Sequence, residues 1–217
     1  FQEVNYLQAM EGGIDSSHVT FLHSGALNTD PLFVGSKGNE YNMNDLRPKF
    51  EVVDGDAGLF IGVRRKAEAG HLYWRITPWV MPCFTMVPPR GDHPIHGHFW
   101  VPIDDENTAF YFLAWGDPAS TPSTEEWRKF LGQQVGIDLD EHYRPLRNMD
   151  NRFWQDRNAM KSGNFTGIKG FPNQDLAMWV TMGRITDRTS EVLGASDVAV
   201  VEFRKQMVEA AQAWLAG

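Results

Sequence analysis

Three side chains near the start of the chain have the types and spacing to do metal chemistry. In the run Glu11-Gly-Gly-Ile-Asp15-Ser-Ser-His18-Val-Thr-Phe-Leu-His23, Asp15 and His18 are three apart and His23 lies five beyond His18. Residues three apart share a face of a helix, whereas five apart stand about 140° apart on a continuing helix. Both imidazoles reach one ion only where the helix ends or unwinds between them, and the β-branched and aromatic run Val19-Thr20-Phe21 is compatible with that. Two imidazoles and a carboxylate brought from elsewhere form the set that holds iron(II) with coordination positions left open. A His pair beside an apolar stripe is also a common structural feature, and the spacing leaves both readings open.

A rival cluster is Asp92-His93-Pro-Ile-His96-Gly-His98. His96 and His98 share one face of a strand, but no carboxylate follows at a suitable spacing, since Glu106 lies eight residues on, in a turn. These histidines are therefore expected to be structural.

The elements that must position these groups can be read from periodicity. Leu7, Met10, Ile14 and His18 mark a helical stripe over residues 3–18. From Phe50 to Trp115 short β-rich runs follow: Phe50–Val53, Leu59–Arg65, His71–Val80, Phe84–Val87, His98–Ile103 and Ala109–Trp115. Turn residues separate them, and no helices intervene, which implies an antiparallel meander. A short helix is expected near Glu125–Gly132, with later helices capped by Asn173 and Ser196. The last shows Val200, Phe203, Met207, Ala210 and Trp214 at helical spacing. One α+β domain over residues 1–217 is expected, a curved antiparallel sheet wrapped against terminal helices.

A net charge of −8 argues against a nucleic-acid surface. The single cysteine, Cys83, excludes a disulfide framework, and a cytoplasmic enzyme fits best. No apolar run approaches the ~18 residues of a membrane helix. The chain opens with Phe1 rather than Met, so a piece of a longer polypeptide is expected. On the inner face of the sheet, Trp74, Trp79, Phe84, Phe99, Phe110 and Phe112 are expected to line a cavity. Arg75 sits among them, and Arg47 is a second candidate; a buried Arg is a natural partner for an aromatic carboxylate. Either could equally be a surface arginine.

The spacing Asp15-x2-His18-x4-His23 after Glu11-Gly12 resembles the iron-site signature of the catalytic domain of Rieske-type aromatic-ring-hydroxylating oxygenases. Further blocks extend the likeness over most of the chain: Val101-Pro-Ile-Asp-Asp-Glu-Asn-Thr108, Phe165-Thr-Gly-Ile-Lys-Gly-Phe-Pro-Asn-Gln-Asp175 and Met182 to Asp197. The last two look most like the phthalate dioxygenase branch, which includes aryl-ether-cleaving members.

The resemblance implies a helix-grip (START/Bet v1-like) fold. It implies that His18, His23 and Asp175 are the iron(II) ligands. It makes Asp15 the bridging carboxylate, which orients a ligating His and links it to the Rieske cluster of a neighbouring subunit, with Glu11 extending that network. Where the branch often has an acidic residue after Asp175, this chain has Val180. A Rieske [2Fe-2S] cluster needs two Cys and two His, so that domain is expected ahead of residue 1 in the full-length protein. Partners implied are O2, an aromatic acid or ether, a reductase or ferredoxin, and further copies in a homotrimer or a multiple of it. Two other readings stand beside this one: a helix-grip domain that binds an apolar ligand without metal, and a zinc hydrolase built on the same triad.

Overall fold

The structure, a computed structural model, describes residues 1–26, 36–88, 95–119 and 121–217. Its centre is a six-stranded sheet: β1 (Lys49–Gly55), β2 (Gly58–Lys66), β3 (Leu72–Val80), β4 (Phe84–Val87), β5 (Ile95–Pro102) and β6 (Thr108–Trp115). Each strand pairs antiparallel with the next, in sequence order. The meander matches the sequence expectation. Alternation sets two unlike faces. Leu59, Ile61, Val63, Trp79 and Trp100 point inward and are buried, while Phe60, Trp74, Ile76 and Phe99 are exposed on the other face.

Three helices cover the inner face: α1 (Tyr6–Ile14), α6 (Phe171–Thr181) and α7 (Val198–Ala216). Between them in the chain lie α2 (Val19–Leu22), α3 (Lys37–Asn44), α4 (Thr124–Leu131) and α5 (Arg157–Lys161). Met10 and Ile14 of α1, Trp179 of α6, and Val200 and Phe203 of α7 join the inward strand residues in one core. Phe203 meets Trp79 edge to face at 4.9 Å. A smaller cluster joins Phe153 and Ile168 of the long connection before α6 to Leu176 and Ala177 of that helix.

Several boundaries depart from the sequence reading. The first helix stops at Ile14, not at residue 18. Asp15 adopts extended backbone, and its carboxylate accepts from the amides of Ser17 (2.6 Å) and His18 (3.1 Å), taking donors a longer helix would have used. The cap of α6 is Gly170, not Asn173, which lies inside the helix after Pro172. Asp197 rather than Ser196 precedes α7. The stripe of α7 is buried only through Phe203, with Met207 partly covered, and Trp214 is exposed. The short helix α4 is as expected, closed by Gly132 in the left-handed conformation (φ 66°).

Gly12 and Gly13 are what let α1 lie so close to its neighbours. A Cβ on Gly12 would stand 2.5 Å from Trp179 Nε1, and one on Gly13 2.6 Å from Trp100 Cζ2. Helix propensity favours alanine at such sites by roughly 1 kcal/mol, yet both indoles are in the core, so the clash outweighs it. Gly13→Ala is expected to destabilise the protein by about 1–3 kcal/mol. The check is a lower urea midpoint with an unchanged m-value.

Candidate metal centre

The ligand-bearing segment follows directly from the early end of α1. After the Asp15 turn, His18 caps the single-turn helix α2 and His23 closes it, so neither ring sits inside a long helix. The break falls before His18 and again at His23, and the two rings meet at 5.1 Å, nearly perpendicular. Asp175, in the second turn of α6, comes to the same point. Its Oδ1 lies 3.2 Å from His23 Nε2 and 3.6 Å from His18 Nε2. Among the described residues, these three form the group of His, Cys and carboxylate side chains able to hold a metal ion, with ligand atoms within 4.8 Å of one another.

The other nitrogen of each ring faces a protein oxygen. His23 Nδ1 is 2.7 Å from Gln174 Oε1. The amide nitrogen of Gln174 donates to the Ile168 carbonyl at 2.8 Å, which leaves Oε1 to accept and Nδ1 of His23 to carry the proton. His23 Nε2 then has a free lone pair directed at Asp175. Nδ1 of His18 faces Asp15 Oδ2 at 3.4 Å. Gln174, fully buried, is a site residue that the sequence reading named only as part of a motif.

The electrostatics suit a cation. Burial would raise the Asp175 carboxyl, but His23 and then His18 outweigh it and hold it below the usual carboxylate range. Burial likewise opposes ionisation of Asp15, and His18 with the backbone amides of Ser17 and His18 prevails. Burial would lower His18, but Asp15 and Asp175 raise it above the usual imidazole value. Two ionised carboxylates flanking two imidazoles attract positive charge, either a proton or a metal that displaces it.

Beside the triad lies a cavity of about 160 Å³, comparable to a cavity that admits benzene. Of the aromatics expected to line it, Phe110 and Phe112 do, and Trp100, stacked on Phe110, joins them. Trp79 is in the core instead. Phe84, Phe99 and Trp74 point the other way: Phe84 pairs in register with Phe99, and their rings touch at 4.6 Å on the outer face.

Arg75 lines the cavity and is 5% exposed. Arg47 is exposed and lines a separate groove with Phe21 and Phe50. The opposite wall, Trp127 and Phe130 of α4 with Phe171, was not anticipated; the i, i+3 spacing of the first two was the available signal.

Asp92 and His93 of the rival cluster lie outside the described residues. His96 and His98 line the same cavity. The His98 ring is surrounded by Trp100, Phe110 and Phe112, and burial, then His96, push it down to about 3, so it is neutral. Glu11 does not extend the Asp15 network. Its carboxylate is taken by Arg204 at 2.8 and 2.9 Å and by Arg188 at 3.0 Å.

Comparison with known proteins bears on this geometry. Residues 1–217 match the family described as LigXa C-terminal domain like. The phthalate 4,5-dioxygenase oxygenase subunit of Pseudomonas putida is 53% identical over 221 residues, covering 98% of the chain and 50% of that protein. The 3-chlorobenzoate-3,4-dioxygenase oxygenase subunit of Comamonas testosteroni is 31% identical over 225 residues, 96% of the chain and 51% of that protein. The 5,5'-dehydrodivanillate O-demethylase oxygenase subunit of a Sphingobium species is 24% identical, over 94% of the chain and 41% of that protein. The chain spans about half the length of the first two of these curated relatives.

Gln174→Leu removes the acceptor that sets the His23 tautomer. The expected result is a metal affinity about 10–100-fold weaker, read by anaerobic equilibrium dialysis against Fe(II). Gln174→Glu, which keeps an acceptor, is expected to retain most of it.

Proposed function

The chain belongs to the LigXa C-terminal-domain-like family, here the catalytic domain of Rieske-type aromatic oxygenases, and on that footing we propose that it is the oxygen-activating domain of an enzyme acting on an aromatic acid or aromatic ether. The observation that carries this reading is the meeting of His18 Nε2, His23 Nε2 and Asp175 Oδ1 beside a ring-sized, mostly apolar cavity. The donor set fits iron(II): two neutral imidazole nitrogens and one ionised carboxylate, with both remaining imidazole nitrogens facing an oxygen of the protein. Iron(II) bound by these three residues supplies the redox chemistry for O2 activation toward hydroxylation or O-demethylation.

The chain's own residues do the rest. Gln174 and Asp15 fix the two imidazoles. Phe110 and Phe112 offer ring faces to an aromatic substrate, and Trp127 and Phe130 close the other side against water. Arg75 is the group to take a substrate carboxylate. The names of the three relatives, which act on phthalate, 3-chlorobenzoate and dehydrodivanillate, support an aromatic acid.

Electrons come, in this proposal, from a reductase or ferredoxin by way of a Rieske [2Fe-2S] cluster ahead of residue 1 in the full-length protein. With one cysteine, residues 1–217 cannot supply that cluster. Asp15 is the side chain facing the cluster of an adjacent subunit in a homotrimer or a multiple of it. A cytoplasmic setting belongs to the same proposal; among the described residues no helix is long and apolar enough to cross a membrane.

Anaerobic reconstitution with Fe(II) followed by metal analysis tests the triad. One mononuclear iron per chain is expected in the wild type, lost in His18→Ala and in Asp175→Ala. A folded wild type that takes up no such iron would favour a metal-free binding domain. Asp15→Asn is expected to keep the metal while lowering donor-coupled turnover by roughly 10–100-fold, read as product formed per NADH oxidised by the full-length enzyme with its reductase.

A further inference from the structure

Arg65 stands on the inner face of β2 at 1% exposure, yet it lines neither the cavity nor the groove on the other side of the triad. Its Nη2 donates to the Ser16 carbonyl at 3.0 Å, while Nε and Nη1 are buried without a hydrogen-bond partner among the described residues. Packing alone gives no reason for a cation here. A buried ion with donors left over costs stability, and an apolar side chain of similar volume is often neutral or stabilising in its place. Burial, then Arg75, lower Arg65 to about 10, against the opposing pull of Asp45 and Asp15, so it stays protonated at neutral pH. Asp45 is itself occupied by the amides of Lys66 and Arg47.

What Arg65 does hold is one peptide unit. The carbonyl of Ser16 and the N–H of Ser17 belong to the same rigid plane and point in opposite directions. The oxygen end accepts from Arg65, and the nitrogen end donates to Asp15 Oδ1 at 2.6 Å. A cation at the oxygen end fixes the rotation of that plane and, by polarising it, strengthens the bond made by its N–H. The other oxygen of Asp15 takes the His18 amide at 3.1 Å and faces Nδ1 of the His18 ring at 3.4 Å. Contacts therefore run from β2 through a single peptide to Asp15 and on to the ligand. The Asp15 side chain is partly exposed and lines both the cavity and the groove, so the turn rather than enclosure orients its carboxylate.

We propose that Arg65 is a positioning residue for Asp15, its charge on the Ser16 carbonyl holding the Ser16–Ser17 peptide so that Asp15 stays aimed at His18. The role rests on the reading of Asp15 as the link between His18 and the electron-donating cluster. Arg65 touches neither the metal ligands nor the cavity, so its loss lowers donor-coupled turnover and leaves metal uptake in place.

The test is a double-mutant cycle in the full-length enzyme with its reductase, read as product formed per NADH oxidised, with iron content measured alongside. Arg65→Met removes the cation together with its unpartnered donors. It is expected to keep one mononuclear iron per chain and to lower the yield about tenfold, the scale of one charge-assisted hydrogen bond. Arg65→Lys, which keeps a charge beside the Ser16 carbonyl, is expected to recover most of it. In the Asp15→Asn background Arg65→Met is expected to change the yield by less than about twofold. Hydrogen exchange of the metal-free protein gives a reading apart from turnover: peptides spanning Ser17 and His18 should exchange faster in Arg65→Met, and those of β2 should not. Should the methionine variant not fold, Arg65→Gln carries the same cycle. Additive losses in the cycle, or wild-type yield and exchange in Arg65→Met, overturn the role of Arg65. A full yield in Asp15→Asn alone overturns the reading of Asp15, and this inference with it.

Discussion

The seating of α1 is the constraint on which the other features depend. That helix touches the sheet through Gly13 and Trp100, α6 through Gly12 and Trp179, and α7 through the Glu11 to Arg204 ion pair. Gln8 locks its position along α6. It is 2% exposed, donates to the carbonyls of Trp179 and Gly183, and accepts from the amide of Thr186. A buried amide with all these partners fixes register more strictly than apolar contact does, since a small slip would strand several polar groups at roughly 1–3 kcal/mol each. Because α1 leads into the Asp15 turn and α6 carries Gln174 and Asp175, that register decides whether the three ligand atoms meet.

Polar groups near the cavity follow a division of labour. His18 is raised above the usual imidazole value by its acidic neighbours, whereas His98, enclosed by Trp100, Phe110 and Phe112, is held neutral. Identical side chains thus differ by what lies within a few ångströms: carboxylates in one case, aromatic rings and another imidazole in the other. The arginines show the same contrast. Arg204 is bidentate to Glu11 and Glu191 at the surface side of α1, while Arg65 and Arg75, inside, have only carbonyl and hydroxyl partners among the described residues.

Much of this was legible in the sequence, and the failures have identifiable causes. The meander was readable because turn residues separate strands of strong β-propensity and because no helix intervenes. The triad was readable from a short spacing joined to a resemblance over several blocks. The end of α1 was misplaced because its periodic stripe runs on to His18, and periodicity cannot register a carboxylate that captures two backbone amides. Phe84, Phe99 and Trp74 were placed inward although strict alternation sets Trp74 opposite to Arg75 and Phe99 opposite to His98; aromatic character was allowed to outweigh parity. Arg47 precedes β1, where no alternation constrains it. Gln8 carries no sequence mark, and Gln174 only its place beside Asp175 in a resembling block, since their value comes from partners far along the chain.

The distance along the chain between the ligands bears on how the protein comes into being. His18 and His23 emerge early in synthesis and Asp175 late, with the whole sheet made between them. Closing so long a loop must wait for the sheet to fold and for α6 to dock on α1. A metal held by all three side chains would therefore be captured after translation has passed α6, by a polypeptide already collapsed. Such a metal would complete this fold rather than nucleate it, since the sheet and the packing of α6 on α1 are in place before the third ligand arrives.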